Sequence, residues 1–455
     1  MKIVFLQQLW YEWQAPMIFS SIAKKKKHDT AMYIKTSPVK AAQKAISEKA
    51  DLIVFSSITS GNMQFVYECA ARIKQRKDIP ILIGGVYVSL YYEKISMQNI
   101  DFLGIGEGEY TFSLLLDAIE NKTYYGDIPG LGYQRHKKLI VNQPQSVCNL
   151  DEIPSMDRML YYKYQLLRRE KVRMFYSGRG CKYECSYCCV PILLELDATA
   201  AKVRKKSPEA MIIEIQEVQD KFGLKAAFFQ DDTFTQDRVW LLKFLELYKR
   251  NINKPLMCMS RAINIDEEIA DALAANGCVS VGIGLETANE NTREKLNRKE
   301  TNNHIRNAIL LLRERGIKVT TFNMLGIPDE SMRDIMKTII FNHENRVESS
   351  WGVLYQPYVK DKVINCCQED NGNFYTKLGY DCPDKKHIEQ IQKLYPLLVR
   401  WPGLQRTILH FMPDFLAYFI FAFNSFFREI FIWKRSFILT LIVGVKNQIL
   451  YKKNK

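Results

Sequence analysis

Short apolar runs alternate with amphipathic stretches over the first 145 residues. The runs that predict strands are residues 3–6, 32–35, 52–57, 81–84 and 102–105. An amphipathic stretch over residues 60–75 predicts one of the helices between them. Strands that alternate with helices are typical of a parallel α/β sheet. We therefore expect a doubly wound sheet with a ligand site at the carboxyl ends of its strands.

A second series of alternating runs follows. Its strand candidates are residues 172–177, 226–229, 256–259, 280–284, 319–325 and 351–355. A closed barrel of this type needs eight strands, so six strand–helix units predict an open, partial barrel. Between the two series, Pro129-Gly130 begins a predicted hairpin that ends at Val141, and Pro154 marks a linker.

These patterns predict an α/β protein with four parts. The parts are a doubly wound domain at residues 1–145, a linker at 146–170, a partial (β/α)6 barrel at 171–360 and a helical C-terminal region at 361–455. A chain of 455 residues is long enough for domains that each have their own core.

Polar residues follow the predicted barrel strands. They are Asp231 after the second strand, Ser260 and Arg261 after the third, and Gly284 and Glu286 at the end of the fourth. A guanidinium can bind a carboxylate bidentately, and an acidic side chain can accept hydrogen bonds from hydroxyl or ammonium groups. Each residue also has a structural alternative, since Asp231 or Asp232 can cap a helix and Arg261 can pair with an acid on a helix.

Three cysteines occur in the sequence CKYECSYC, in a predicted loop after the first barrel strand. Cys181, Cys185 and Cys188 have the CxxxCxxC spacing that lets three thiolates ligate one iron–sulfur cluster. Three ligands for a four-iron cluster leave one iron open to a substrate or cosubstrate. The alternative is a zinc site, which needs a fourth Cys or His. We interpret Cys189 as a buried thiol and not as a ligand, because it is adjacent to the third cysteine, and the next His is His304.

The cysteine spacing, the aromatic residue before the third cysteine and the sequence SGRG at 177–180 resemble the radical S-adenosylmethionine (SAM) superfamily. In that family the open iron of a [4Fe-4S] cluster binds the amino and carboxylate groups of SAM, and electron transfer cleaves SAM to a 5′-deoxyadenosyl radical. A reducing partner of the flavodoxin or ferredoxin type supplies the electron. The resemblance implies no catalytic residue beyond the cluster ligands Cys181, Cys185 and Cys188, with SAM bound by Tyr187, Asp231, Ser260, Arg261, Gly284 and Glu286.

Small residues also follow the strands of the first domain. Glycine allows a flat cofactor to approach the backbone closely. The Gly-Gly pair at 84–85 and the sequence GIGEGE at 104–109, upstream of the cysteine motif, resemble the cobalamin-binding domain of one large radical SAM class. The similarity extends over roughly residues 1–360 and includes LNRK at 296–299 and MLGIP at 324–328. It implies that cobalamin is bound by Ser56, Thr59, Gly84, Gly85, Glu107 and Gly108.

One loop departs from that class. Many cobalamin domains place Asp-x-His-x-x-Gly after the first strand, whereas residues 7–16 of this chain read QQLWYEWQAP and contain no His. We therefore expect base-off cobalamin without a histidine ligand, with its lower face covered by Trp10 or Tyr11. The alternative is that the domain has lost cobalamin and remains as a scaffold.

The resemblance implies a cobalamin-dependent radical SAM enzyme that transfers a methyl group to an unactivated carbon. Oxidative cyclases of tetrapyrroles and other radical rearrangement enzymes share every motif quoted above, so they remain an alternative. A non-catalytic iron–sulfur protein for electron transfer or sensing is a second alternative. The predicted site residues Arg261 and Glu286 argue against it, because such a protein needs no groups that hold an amino acid and a ribose.

Cysteine usage and charge narrow the setting. Residues 1–6 lack the charged n-region and the long apolar stretch of a secretory signal, and the other cysteines have no framework spacing. Because a cluster with an open iron is oxygen-sensitive, we expect a reducing, low-oxygen cytoplasm. The formal net charge of +14 is spread along the chain without a nucleic-acid-binding motif, so we expect no nucleic-acid partner.

The end of the chain combines aromatic and basic residues. Residues 415–427 and 436–445 are uncharged, and neither run is long enough to span a bilayer. From residue 400 to 455 there are nine Lys or Arg against two Asp or Glu. This combination is typical of an interfacial anchor on an anionic membrane surface, and it suggests a lipid-like substrate besides other small molecules. The alternative is a helical cap on the barrel or at a dimer interface.

We expect the full chain to bind anionic liposomes peripherally, because its apolar runs are too short to cross about 30 Å of hydrocarbon. In a flotation assay, binding should weaken as salt is added and disappear when the residues from about 412 onward are deleted. The truncated chain should still bind the cluster. Failure of the full chain to bind at low salt, or loss of the fold on truncation, would identify the segment as a structural cap.

Overall fold

The computed structural model describes residues 1–57, 60–197, 201–357 and 377–404. These residues form two compact units. The first contains Met1–Arg169 and Cys189–Arg204, and the second contains Glu170–Cys188 and the described residues between 205 and 404. Thr59 and the basic segment after residue 404 lie outside the described residues, so their predicted roles stay predictions.

The elements of the first unit alternate as the apolar pattern predicts. The strands are β1 (Lys2–Gln7), β2 (Asp29–Ile34), β3 (Leu52–Ser56), β4 (Ile81–Gly84), β5 (Phe102–Gly104), β6 (Leu131–Arg135) and β7 (Lys138–Val141). The helices are α1 (Gln14–Lys25), α2 (Pro38–Ser47), α3 (Met63–Lys74), α4 (Val86–Tyr91), α5 (Glu109–Asn121), α6 (Met159–Tyr162), α7 (Gln165–Arg168) and α8 (Cys189–Glu195). Short 3-10 turns lie at Ser60–Asn62, Tyr92–Lys94 and Leu150–Glu152.

The first sheet has the order β2-β1-β3-β4-β5-β6-β7. Its first five strands are parallel, which confirms the predicted doubly wound sheet. The hairpin β6–β7 was also predicted, but its position was not. It pairs antiparallel with β5 and so extends the sheet by two strands.

The central strands of this sheet are apolar almost throughout. The apolar residues of β1, β3 and β4 are buried, as expected for a parallel sheet that is covered by helices on its faces. The amphipathic helix α3 buries Phe65, Val66, Cys69, Ala70 and Ile73, which recur at helical spacing. The core that results holds the carboxyl ends of β3, β4 and β5 in register.

The second unit contains the strands β8 (Val172–Phe175), β9 (Gly178–Arg179), β11 (Ala226–Phe229), β12 (Leu256–Ser260), β13 (Cys278–Glu286), β14 (Lys318–Leu325) and β15 (Ser349–Leu354), and β10 (Arg204–Lys205) lies at the unit boundary. Its helices are α9 (Pro208–Phe222), α10 (Arg238–Asn251), α11 (Glu267–Ala275), α12 (Glu290–Lys295), α13 (Asn302–Glu314), α14 (Met332–Glu344) and α15 (Lys385–Arg400). Short 3-10 turns lie at Phe234–Gln236, Ala262–Asn264 and Pro402–Leu404.

The main sheet of this unit has six strands in the order β8-β11-β12-β13-β14-β15. All neighbours are parallel, which confirms the predicted open, partial barrel. Apolar residues of β8 and β11–β14 pack with those of α9, α10, α11 and α13 in one core. All six strands therefore end at the same edge, where the polar residues identified in the sequence lie.

The described part of the C-terminal region is mainly α15. This helix buries Ile388, Ile391, Leu394, Tyr395 and Leu398, which pack in one cluster with residues of β15 and α14. In the ranges that the structure describes, no helix has both the length and the apolar character needed to cross a membrane.

Candidate functional site

The cysteine loop follows β8 and is tied to neighbouring loops by hydrogen bonds. Gln236 Nε2 donates to the carbonyl of Gly180 at 2.9 Å, and Asn297 Nδ2 donates to the carbonyl of Glu184 at 2.6 Å. The Ser186 amide donates to the carbonyl of Leu296 at 3.1 Å. These bonds fix the backbone just before the first cysteine and between the first and third cysteines.

The three thiols of this loop lie in different environments. Cys185 is buried, whereas Cys181 and Cys188 are partly exposed. Cys189 is also partly exposed, so the prediction that it is a buried thiol is wrong. Burial raises the pKa of the Cys185 thiol, and the positive charges of Arg298 and Arg261 oppose that effect. Soft thiol donors on a fixed loop beside cationic groups fit an iron–sulfur cluster.

Across the described ranges, no three His, Cys, Asp or Glu side chains are grouped so that they could hold one ion. The thiolates of a four-iron cluster each bind a different iron, so they need not converge on one point. The assignment of Cys181, Cys185 and Cys188 as cluster ligands stays a prediction from their spacing and their chemistry.

Arg261, at the end of β12, forms a buried ion pair with Glu300. Its Nε lies 2.6 Å from Glu300 Oε1, and its Nη2 contacts Oε2. The guanidinium stacks on the ring of Tyr183 at 3.8 Å from the ring centroid, and Nη1 lies 3.4 Å from Cys185 Sγ. Arg261 therefore pairs with an acid, as the structural alternative proposed, but this acid lies in the loop between α12 and α13.

Arg298 connects this pair to the end of β13. Its Nη1 donates to Tyr187 Oη at 2.9 Å, and its Nη2 donates to the carbonyl of Gly284 at 2.6 Å. Its guanidinium also lies 3.4 Å from both Glu286 and Glu300. Tyr187 Oη donates to Glu286 Oε1 at 2.9 Å. We name Arg261, Glu286, Arg298 and Glu300 the charge network. It contains two cations and two carboxylates.

The backbone around Glu286 is shaped for this network. The register of β13 against β14 shifts between Gly284 and Glu286, and Glu286 has a φ of 63°, in the left-handed region. A Cβ on Gly284 would lie 2.6 Å from Glu286 Oε1 and 3.2 Å from Arg298 Nη2. Any larger residue at position 284 would displace the Glu286 carboxylate from its place beside Arg298. Burial raises the pKa of Glu286, and the charge of Arg298 opposes that effect.

Asp231 and Ser260 hold neighbouring strand ends. Asp231 accepts hydrogen bonds from the Ser177 amide at 3.0 Å and hydroxyl at 2.6 Å, and it lies 3.0 Å from Lys205 Nζ. Ser260 Oγ lies 2.5 Å from Thr235 Oγ1 and donates to the carbonyl of Arg261 at 3.1 Å. These bonds connect β8 to β11 and fix the backbone of Arg261.

Asp232, the residue after Asp231, is exposed to solvent. Neither aspartate caps the following helix, since the cap of α10 is Asp237, whose side chain accepts from the Trp240 amide. The capping alternative for Asp231 and Asp232 is therefore wrong.

Of the predicted SAM residues, the structure brings Tyr187, Arg261, Gly284 and Glu286 together with Cys185. Ser260 adjoins Arg261, and Asp231 lies between β8 and β11. Their binding to SAM stays a prediction. Sequence reasoning did not assign Arg298 and Glu300 to the site, because a charged residue in a loop gives no periodic signal of burial. The resemblance over LNRK at 296–299 was the only available indication for Arg298.

In the first unit, the strand ends of β3 and β4 present close-packed backbone. The Ser57 amide donates to the carbonyl of Gly84 at 2.8 Å. Gly85 has a φ of 109°, and a Cβ there would lie 2.4 Å from the carbonyl oxygen of Ser57, so both the conformation and the space require glycine. Ser56, Gly84 and Gly85 are partly exposed and leave the predicted cobalamin edge without large side chains.

Two other predicted cobalamin residues have structural partners. The Glu107 carboxylate binds the Arg204 guanidinium, with Oε2 3.1 Å from Nη1, and accepts from the Val147 amide at 3.2 Å. A Cβ on Gly108 would lie 2.4 Å from Cζ of Phe19 on α1. The Glu107 carboxylate therefore links its own loop to Val147 and Arg204, and the absence of a side chain at Gly108 leaves space for the Phe19 ring. Their predicted contacts with cobalamin stay predictions.

The loop after β1, which lacks histidine, is held by its own glutamine. Gln7 Nε2 donates to the carbonyls of Leu9 at 2.5 Å and Tyr11 at 2.7 Å, and Gln7 Oε1 accepts from Tyr161 Oη at 2.6 Å. The ring of Trp10 packs edge-on against Tyr164, with 5.3 Å between the ring centroids. The Gln7 side chain therefore orders the loop that contains a histidine in many cobalamin domains.

Comparison with known protein families gives two matches on this chain. The model of the radical SAM superfamily matches residues 175–341, and the model of the B12 binding domain matches residues 18–116. The first covers most of the partial barrel with the cysteine loop, and the second covers most of the doubly wound sheet.

Curated relatives are distant but extend over both regions. The uncharacterized methyltransferase PH0819 of Pyrococcus horikoshii is 25% identical over 319 residues, which cover 67% of this chain and 67% of that protein. An anaerobic magnesium-protoporphyrin IX monomethyl ester cyclase of Synechocystis sp. is 26% identical over 296 residues, covering 62% of this chain and 58% of the cyclase. The chain thus spans about two thirds of the first relative and less of the second.

Among solved structures, the radical SAM methyltransferase TsrM from Kitasatospora setae, with tryptophan substrate and a SAM analog bound, is similar to this chain. The TM-score is 0.68 at 17% identity, and the match covers 80% of this chain and 74% of TsrM. At this identity the similarity shows a shared fold.

Replacement of Cys181, Cys185 or Cys188 by Ala is expected to reduce iron and sulfide to background after anaerobic reconstitution, because each removes one of only three ligands. The visible absorbance of the cluster and SAM cleavage should disappear together. Cys189→Ala is the matched control, since Cys189 begins α8 and should leave both intact. Loss of the cluster in the control would show that the ligand set is wrong.

Proposed function

Because the chain belongs to the radical SAM superfamily and carries a B12-binding domain, we propose that it is a cobalamin-dependent methyltransferase that acts on an unactivated carbon. The observation that carries the proposal is the presence of both domains in one chain, with the cysteine motif in the barrel. PH0819 is named as a methyltransferase, and TsrM is one with a similar fold. We propose that the substrate is a small molecule.

The proposed roles of the barrel residues follow from their positions. Cys181, Cys185 and Cys188 hold the cluster. Glu286 and Tyr187, at the end of β13 and in the cysteine loop, offer a carboxylate and a hydroxyl to the polar groups of SAM. When bound, the cluster supplies the electron that cleaves SAM, and cobalamin supplies a carrier for the methyl group. Burial of the charge network excludes water from one side of this site.

In the first unit, the proposed cobalamin site is a stretch of main chain with small side chains or none. Ser56, Gly84 and Gly85 form an edge that a flat cofactor can approach, because the carbonyl of Ser57 leaves no space for a side chain at position 85. Gln7 orders the preceding loop without an imidazole. We therefore propose that cobalamin binds base-off, with no histidine on cobalt.

A second candidate function is a radical cyclization. The cyclase of Synechocystis sp. is 26% identical over both regions, so the motifs alone do not separate methyl transfer from ring formation. The two reactions differ in their products. Methyl transfer converts one SAM to S-adenosylhomocysteine and another to 5′-deoxyadenosine, whereas a cyclase releases 5′-deoxyadenosine alone.

The proposed setting is a reducing cytoplasm with an electron donor of the flavodoxin or ferredoxin type. The basic C-terminal segment would bring the enzyme to the inner surface of a membrane and favour a lipid-like substrate. The membrane proposal is supported by the composition of the C-terminal segment, and the flotation assay with anionic liposomes tests it.

The function is tested by product analysis of the reconstituted enzyme with SAM and a strong reductant. We expect 5′-deoxyadenosine to depend on the cluster and S-adenosylhomocysteine to depend on cobalamin. Omission of cobalamin should remove the second product and leave the first. Formation of 5′-deoxyadenosine alone with cobalamin present would favour the cyclase, and formation of neither would overturn the enzymatic proposal.

Gly84→Val is expected to weaken cobalamin binding at least about tenfold, or about 1.4 kcal/mol, by adding a side chain to the edge that the cofactor approaches. A Cβ at this position would meet Gly104 only at ordinary contact distance, 3.4 Å, so the fold should persist. Corrin uptake by spectroscopic titration measures the effect. Gly403→Ala, whose Cβ would meet no atom within 4 Å, is the control. Equal corrin uptake by both variants would show that cobalamin does not bind at the end of β4.

A further inference from the structure

We infer that Arg261, positioned by Glu300, sets the reduction potential of the cluster through its contact with the sulfur of Cys185. The inference rests on the proposed function in one respect, the ligation of the cluster by Cys185. The inference goes beyond the proposed function because Arg261 and Glu300 would adjust the reduction potential of the cluster even when SAM is absent. Arg261 is a positioning residue in this sense.

The contact is specific to one cysteine. Arg261 Nη1 lies 3.4 Å from Cys185 Sγ, within the range of a hydrogen bond to sulfur. Cys181 has a different neighbour, the hydroxyl of Thr233 at 3.6 Å. A cation is thus directed at the buried cysteine of the three.

The guanidinium has little freedom to leave this position. Glu300 binds its Nε and Nη2 edge, Tyr183 stacks on its face, and only Nη1 is directed at the sulfur. Arg261 is 6% exposed and Glu300 is 3% exposed. A bidentate pair with this burial keeps its geometry better than an exposed ion pair, because solvent neither screens nor replaces it.

The expected sign follows from electrostatics. Reduction adds one electron to the cluster, and a buried positive charge near a ligand sulfur stabilises the added negative charge. Hydrogen bonds to cluster sulfurs and the local net charge are established determinants of cluster potentials. Arg261 therefore makes reduction easier, and the carboxylate of Glu300, which holds Arg261, makes it harder.

The test is a redox titration of the reconstituted full chain without SAM, monitored by electron paramagnetic resonance. For Arg261→Met we expect the ratio of reduced to oxidised cluster at a fixed potential to fall at least about tenfold, a midpoint about 59 mV more negative. Glu300→Gln should shift the midpoint in the opposite direction. A role in folding alone would not give opposite signs.

The double variant Arg261→Met/Glu300→Gln separates charge from hydrogen bonding. It removes a neutral pair and avoids leaving a buried Glu300 without its partner, the case that most endangers the fold. A midpoint that stays below that of the wild type would assign part of the effect to the hydrogen bond. A return to the wild-type midpoint would assign the effect to charge, and either result supports the inference.

Arg238→Met is the control for a general loss of positive charge. Arg238 pairs with Asp266 and its side chain is 45% exposed, so the midpoint should not move. If Arg261→Met weakens SAM binding but leaves the midpoint without SAM unchanged, Arg261 serves only the cosubstrate and the inference is wrong. If Cys185→Ser still assembles a wild-type cluster, the ligand assignment has failed instead.

Discussion

The charge network is the interaction on which the arrangement of the barrel edge depends. Arg261, Glu286, Arg298 and Glu300 are all buried, and a buried charge is tolerated only with a partner. Removal of any member would leave another without sufficient compensation. The end of β12, the end of β13 and the loop before α13 are therefore fixed relative to one another. Tyr187 extends this constraint to the cysteine loop through its bonds to Arg298 and Glu286.

The network also explains local features that would otherwise destabilise the fold. A left-handed backbone at Glu286 costs energy for a residue with a side chain, and the register shift interrupts the pairing of β13 with β14. Both turn the carboxylate toward Arg298. Gly284 leaves the space that the carboxylate and the guanidinium occupy. The end of β13 is therefore irregularly paired with β14, and this irregularity places Glu286 in the charge network.

The sequence predicted the parts of this protein that depend on local patterns. Apolar periodicity predicted β4 at residues 81–84 and β11 at residues 226–229, with the bounds that the structure has. The cysteine motif was recognisable because its spacing lies within eight residues. Pairing between distant residues left no local pattern. Glu300 lies 39 residues from Arg261, and Arg204 lies 97 residues from Glu107. The sequence therefore allowed an acidic partner for Arg261 without identifying Glu300, and it gave no indication that Arg204 pairs with Glu107.

Gly85 and Gly108 are glycines for two different physical reasons, which the sequence alone does not distinguish. Gly85 adopts a conformation that other residues avoid and touches the carbonyl of Ser57, and its environment is backbone. Gly108, which precedes α5, instead leaves space for the ring of Phe19 on α1. This is a requirement of core packing. An edge formed by backbone is open to a flat cofactor, whereas a glycine covered by a phenyl ring is not. Of the two glycine motifs that resemble a cobalamin site, the Gly-Gly pair at 84–85 therefore has the stronger physical case.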